Sequence, residues 1–115
     1  MAQYLMLIYE DEARWAQASP EASEQVMKQH EQFVAAHRPI LRGGHALQPT
    51  GTATSLRRQG SGGLAVTDGA FVETKEAVGG YYVVEAADLD EAMAVAKDIP
   101  APFGGVEIRP VREFT

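Results

Sequence analysis

The chain predicts an α+β domain in which two strand-helix-strand units flank an inserted hairpin, with both helices on one face of an antiparallel sheet. Three observations predict it. Apolar runs of strand length open and close two stretches, Tyr4 to Leu47 and Tyr81 to Val111, each enclosing one amphipathic helix. Eight of the eleven glycines fall in four Gly-Gly pairs that each precede an apolar run, three of them before strands of the repeated units and one in the hairpin. At 115 residues the chain has length for one core, so residues 1–115 read as one domain.

Tyr4 to Tyr9 is apolar without interruption and lacks the polar alternation of a strand with one wet face, so it should be covered on both sides. Ser19-Pro20-Glu21 starts a helix with a capping hydroxyl, proline in the first position and an acid in the first turn. The helix should run to Arg38, because Pro39 disfavours helical geometry at the residue before it. Val26, Met27, Phe33 and Val34 form its inward stripe, with His30 and His37 on or beside it. Gly43-Gly44 leads into a short strand around residues 41 to 47. Residues 53 to 58 and 63 to 67 form a hairpin about a glycine-rich turn. Gly60-Ser61-Gly62-Gly63 is not a dinucleotide-binding loop, since its spacing is wrong and no helix follows.

Gly79-Gly80 opens the strand Tyr81 to Glu85. Asp88 caps a second helix with Glu91 three residues on, Leu89, Ala92, Met93 and Ala96 make its apolar stripe, and Pro100 and Pro102 end it. Gly104-Gly105 precedes the last strand, Val106 to Val111. This βαβ-hairpin-βαβ order is that of a ferredoxin-like fold. Its helices cover one sheet face, and strands apolar on both sides leave the other exposed, which on a soluble protein marks an interface. A second copy related by a twofold axis is the simplest cover, so the expected assembly is a sheet-to-sheet homodimer.

Composition excludes several functions. Without cysteine there is no disulfide scaffold, thiolate nucleophile or cysteine-ligated metal. Ten basic residues against 16 acidic ones give a net charge of −6, contrary to the basic surface a nucleic-acid binder needs. The charge is uneven: residues 32 to 67 carry four arginines and no acid, whereas 68 to 98 carry eight acids and two bases. That acid-free middle either holds an anionic ligand, docks on the acidic third of another copy, or is a solvated surface. The N-terminal apolar run has no basic lead and exits into acids, so it reads as neither a signal peptide nor a membrane span, and the expected location is the cytoplasm.

Few residues carry chemistry. His30-Glu31 begins like the zinc-protease helix motif, but position 34 is valine where a second histidine would be needed. No metal or organic cofactor is assigned. His37, near a helix end, should interact with the terminal carbonyls. Asp68 ends a buried-looking strand just before glycine. It either holds the turn by accepting backbone N–H groups or contacts His30, fixing its tautomer as a general acid or base. Glu73, Lys75 and Glu76 form a charged cluster that is either solvated or, through Lys75, in contact with an anion. No serine sits in a strand-turn-helix elbow and no phosphate-cradling loop precedes a helix. Trp15 is assigned to packing.

Tyr4 to Glu10, Met27-x-x-His30-x-x-Phe33, Gly44-His45-Ala46-Leu47-Gln48-Pro49, the run Thr67 to Glu76, Gly79-Gly80-Tyr81-Tyr82 and Glu107-Ile108-Arg109-Pro110 together resemble the YCII-related family in its DGPF-type branch. Ala70 stands where that branch usually has proline, which loosens the turn's φ but leaves Asp68, Gly69 and Phe71 in place. The resemblance implies a dimeric α/β-barrel assembly and a histidine–aspartate active-site pair, falling here on His30 and Asp68, near the dimer interface. Glu73, Lys75 and Tyr81 are second-tier pocket candidates. One relative removes chloride from a chlorinated hydroxylated aromatic, and DGPF-type proteins are often linked to extracytoplasmic-function sigma factors. Two functions are therefore expected to compete: acid-base chemistry on a polar or aromatic small molecule, and a non-catalytic sensor module acting with a sigma factor.

Overall fold

The computed structural model describes residues 1–114 and is a mixed α+β structure. Four strands, β1 (Ala2–Asp11), β2 (Leu41–Ala46), β5 (Glu76–Ala86) and β6 (Gly104–Pro110), form one sheet in the order β2-β5-β1-β6. Every neighbouring pair is antiparallel. β1 and β2 thus run parallel with β5 between them, a split strand-helix-strand arrangement compatible with a ferredoxin-like fold. β3 (Thr54–Arg58) and β4 (Leu64–Asp68) form a separate two-stranded sheet.

The period-2 geometry of β1 sorts its apolar run onto two faces. Tyr4, Met6 and Ile8 are buried with Val84 and Ala86 of β5, beneath Phe33 of α2 (Pro20–His37) and Ala92 and Val95 of α3 (Leu89–Ala96). Leu5, Leu7 and Tyr9 alternate with them and are only half-buried, as are Tyr81 and Val83 beside them. The molecule measures 17 Å in its thinnest direction, enough for one sheet and one helical layer.

Capping sets the helix starts. The Ser19 hydroxyl accepts the Ala22 N–H at 3.1 Å, and the Asp88 carboxylate accepts the Glu91 N–H at 2.9 Å. α2 ends one residue before the predicted Arg38. A short helix that the sequence reading does not include, α1 (Glu12–Ala16), is capped by Asp11, whose carboxylate accepts the N–H groups of Ala13 and Arg14. Trp15 packs edge-on against Phe103 at 4.9 Å, as its packing assignment expects.

The two predicted stripes hold in part: Phe33, Val34, Ala92 and Ala96 face the core. In α3 the buried residues are Ala92 and Val95, while Leu89 and Met93 are exposed, because the small Ala92 is the side that approaches the sheet. In α2 Met27 is 66% exposed and lies at the rim of a cavity. The glycine pairs also differ from expectation. Gly43-Gly44, Gly79-Gly80 and Gly104-Gly105 lie inside strands rather than ahead of them. Close cross-strand approach explains two of these positions: a Cβ on Gly104 would overlap the Tyr9 carbonyl, and one on Gly44 would stand 2.7 Å from the Tyr82 ring. Among the described residues no helix is long and apolar enough to cross a membrane.

Candidate functional site

A cavity of about 520 Å³ lies between α2 and the β2–β5 side of the sheet, within the usual size of small-molecule sites. Gly44, Gly79 and Gly80 line it, so the sheet contributes no side chain at these points and the space under the helix stays open. Ile8 and Glu10 of β1 and Tyr82 of β5 also line it, while α2 contributes Met27, His30 and Val34.

His30 is the chemical centre of this space. Its Nδ1 lies 2.7 Å from the Tyr82 hydroxyl, and the Tyr82 ring packs against Phe33 with centroids 4.7 Å apart. Burial pulls the His30 pKa below its usual value, and the Glu10 carboxylate acts in the opposite, weaker sense. Burial pushes the Tyr82 phenol upward from its ordinary value. At neutral pH the pair is therefore a neutral imidazole beside a protonated phenol. If Nδ1–H donates to the phenol oxygen, Nε2 is an open acceptor; if the phenol donates to Nδ1, the outer nitrogen carries the proton. Either tautomer presents one proton-transfer group to the cavity. Glu10 is 9% exposed and held in place where its Oε2 accepts the Phe103 N–H at 3.1 Å.

Of the five residues selected from the sequence, His30 and Tyr81 line this cavity. Asp68 does not. It is the exposed last residue of β4, opposite Thr54, and no hydrogen bond or ion pair joins it to His30. Its turn is held by the backbone and Ser55 instead: the Gly69 N–H donates to the Ala53 carbonyl at 2.7 Å, and the Ser55 hydroxyl donates to the Gly69 carbonyl at 2.7 Å. Gly69 has φ +95°, the left-handed region that favours glycine. Glu73 lines a separate, smaller pocket with Thr50, Gly69 and Thr74, and Lys75 lines neither.

The sequence reading missed Tyr82 and Glu10. Strand periodicity carries the signal for both: Glu10 falls on the same side as Met6 and Ile8, and adjacent Tyr81 and Tyr82 must face opposite ways. His37 departs from its expected role, since its Nε2 pairs with Asp98 Oδ2 at 2.8 Å, tying α2 to the segment after α3. This histidine–carboxylate pair is outside the cavity. His45 of β2 does line the cavity, its ring 5.8 Å from that of Tyr81. Among the described residues no three histidine, aspartate or glutamate side chains gather as a metal-binding group.

An antiparallel sheet under one helical layer, with an imidazole–phenol pair in a ligand-sized cavity, describes the class of protein this chain represents. Residues 2–115 match the YCII-related domain, and the chain belongs to that family. It is 36% identical over 117 residues to the uncharacterised protein R00369 of Rhizobium meliloti (strain 1021), covering 94% of this chain and 90% of that protein.

Proposed function

We propose that the chain binds a polar or aromatic small molecule in the cavity under α2 and moves a proton on it with His30, as a lyase or dehydrochlorinase would. The observation that carries this reading is the His30–Tyr82 hydrogen bond inside a cavity of ligand size. In the proposed step Nε2 takes a proton from the ligand as its electrons expel a leaving group such as chloride. The imidazolium then donates Nδ1–H to the Tyr82 oxygen. Ile8, Met27 and Val34 supply apolar walls for a ring, and the glycine floor lets it lie close to the sheet. The step calls for neither metal nor organic cofactor.

Within the family, Thr67 to Glu76 supports the DGPF-type branch. The half-buried face of Leu5, Leu7 and Val83 supports a homodimer formed sheet to sheet. Asp68, Glu73 and Lys75, outside the cavity, are assigned outer contacts to a ligand or partner rather than the proton-transfer step itself.

Isothermal calorimetry with phenol, catechol and 4-hydroxybenzoate tests the site. The native protein and Asp68→Asn should bind one of these probes, and His30→Ala should lose it. Unchanged affinity in a folded His30→Ala protein would place binding elsewhere. Binding without turnover, together with co-purification of a sigma factor, would favour the sensor role.

A further inference from the structure

We propose that the β3–β4 hairpin is an arm that clasps a second copy of this chain, laying its bare apolar face on the partner's acidic body. The inference rests on the homodimer proposed above and adds the surface that secures it. Among the described residues β3 and β4 pair only with each other. A two-stranded hairpin is marginal in water unless something covers it.

One face of the arm is partly covered. Ser55 is buried, its hydroxyl donating to the Gly69 carbonyl, and the Arg57 guanidinium lies 4.6 Å over the Phe71 ring. The opposite face is bare. Leu56 and Val66 are direct cross-strand partners, and Leu64 follows on the same side opposite Arg58. These three are 53%, 62% and 52% exposed. Large apolar residues at that exposure on one short element form a docking face rather than a solvated surface.

Shape and charge identify the occupant. The radius of gyration is 16.3 Å, whereas a compact chain of this length has about 13 Å. The excess, with extents of 48 × 47 × 17 Å, describes a flat molecule whose arm is not folded onto its own body. Within the arm, Thr54–Asp68, Arg57 and Arg58 are basic and Asp68 is acidic, a net +1, while the rest of this −6 chain carries −7. Exposed acids include Glu21, Glu24, Asp88, Asp90 and Glu91. Arm against arm would bring like charges together, whereas arm against body brings opposite ones together. The body available is that of another copy, and twofold symmetry gives two such contacts per dimer.

Sedimentation equilibrium of the native chain, Leu56→Glu/Val66→Glu and Arg58→Glu tests the clasp. The arm lies outside the apolar core, so both variants should keep the native circular dichroism of the body. The clasp predicts a dimer whose dissociation constant weakens by at least about tenfold in the double variant, and in Arg58→Glu by an amount that shrinks as salt is raised. A native dimer with unchanged dissociation constants in both variants would overturn the clasp and leave the sheet-to-sheet dimer standing. A native chain that stays monomeric at high concentration would overturn both.

Discussion

Nδ1 of His30 and the hydroxyl of Tyr82, 52 residues apart in sequence, meet at 2.7 Å and join α2 to β5 across one side of the cavity. The contact couples the tautomer of the imidazole to the direction of the phenol's hydrogen bond and keeps a phenol beside it, so several measurable properties of the protein depend on it.

Tyr82→Phe removes the hydroxyl and keeps the ring that packs on Phe33. Urea unfolding should show a loss of about 1 kcal/mol, the net worth of one hydrogen bond. A change several times larger would mean that the ring had shifted and that the packing, rather than the bond, had been altered.

Glu10→Gln removes the carboxylate that raises the His30 pKa while leaving an amide oxygen to accept the Phe103 N–H. The imidazole should therefore titrate at lower pH than in the native protein. NMR of the His30 ring protons followed against pH reads this directly, and an unchanged or higher midpoint would show that Glu10 does not act on His30.

The same lowered pKa gives a pH dependence of stability. The ordinary value is 6.5, and the folded value is below it. As pH falls below 6.5 the unfolded chain takes up the proton before the folded one does, so stability declines until the folded pKa is passed and then levels off with respect to this group. Above 6.5 His30 contributes no slope. His30→Gln should flatten this part of the curve, which thermal unfolding at pH 7 and pH 5 would measure.

Much of the frame is legible in the residues. The Ser19 and Asp88 caps, the strand at Tyr4 to Tyr9 and the hairpin limits all depend on local chemistry, and local chemistry is what a sequence displays. The site is less legible because it depends on register. Which tyrosine faces α2 is decided by the pairing of Met6 with Tyr82 across β1 and β5, and that pairing brings His30 a phenol, while Asp68 lies on the separate hairpin. The glycine pairs mislead for a related reason: glycine signals a turn locally, but at Gly44 and Gly104 it is close approach of neighbouring strands that requires it.

Gly104 and Gly105, neighbours in β6, differ in this requirement. Gly104→Ala should cost about 2–3 kcal/mol, because its Cβ would overlap the Tyr9 carbonyl and the backbone would have to move. Gly105→Ala, with open space around its Cβ, should change stability by less than about 0.5 kcal/mol. Paired denaturant melts compare them, and equal effects would contradict the close-approach explanation.

A proton–nitrogen NMR titration of the labelled protein with phenol, catechol and 4-hydroxybenzoate tests the cavity most directly. Binding under α2 predicts saturable shifts at the His30 ring and at the Gly79 and Gly80 amides, which line the cavity, and their loss in His30→Ala. Shifts confined to other parts of the chain, or none at millimolar probe, would contradict it.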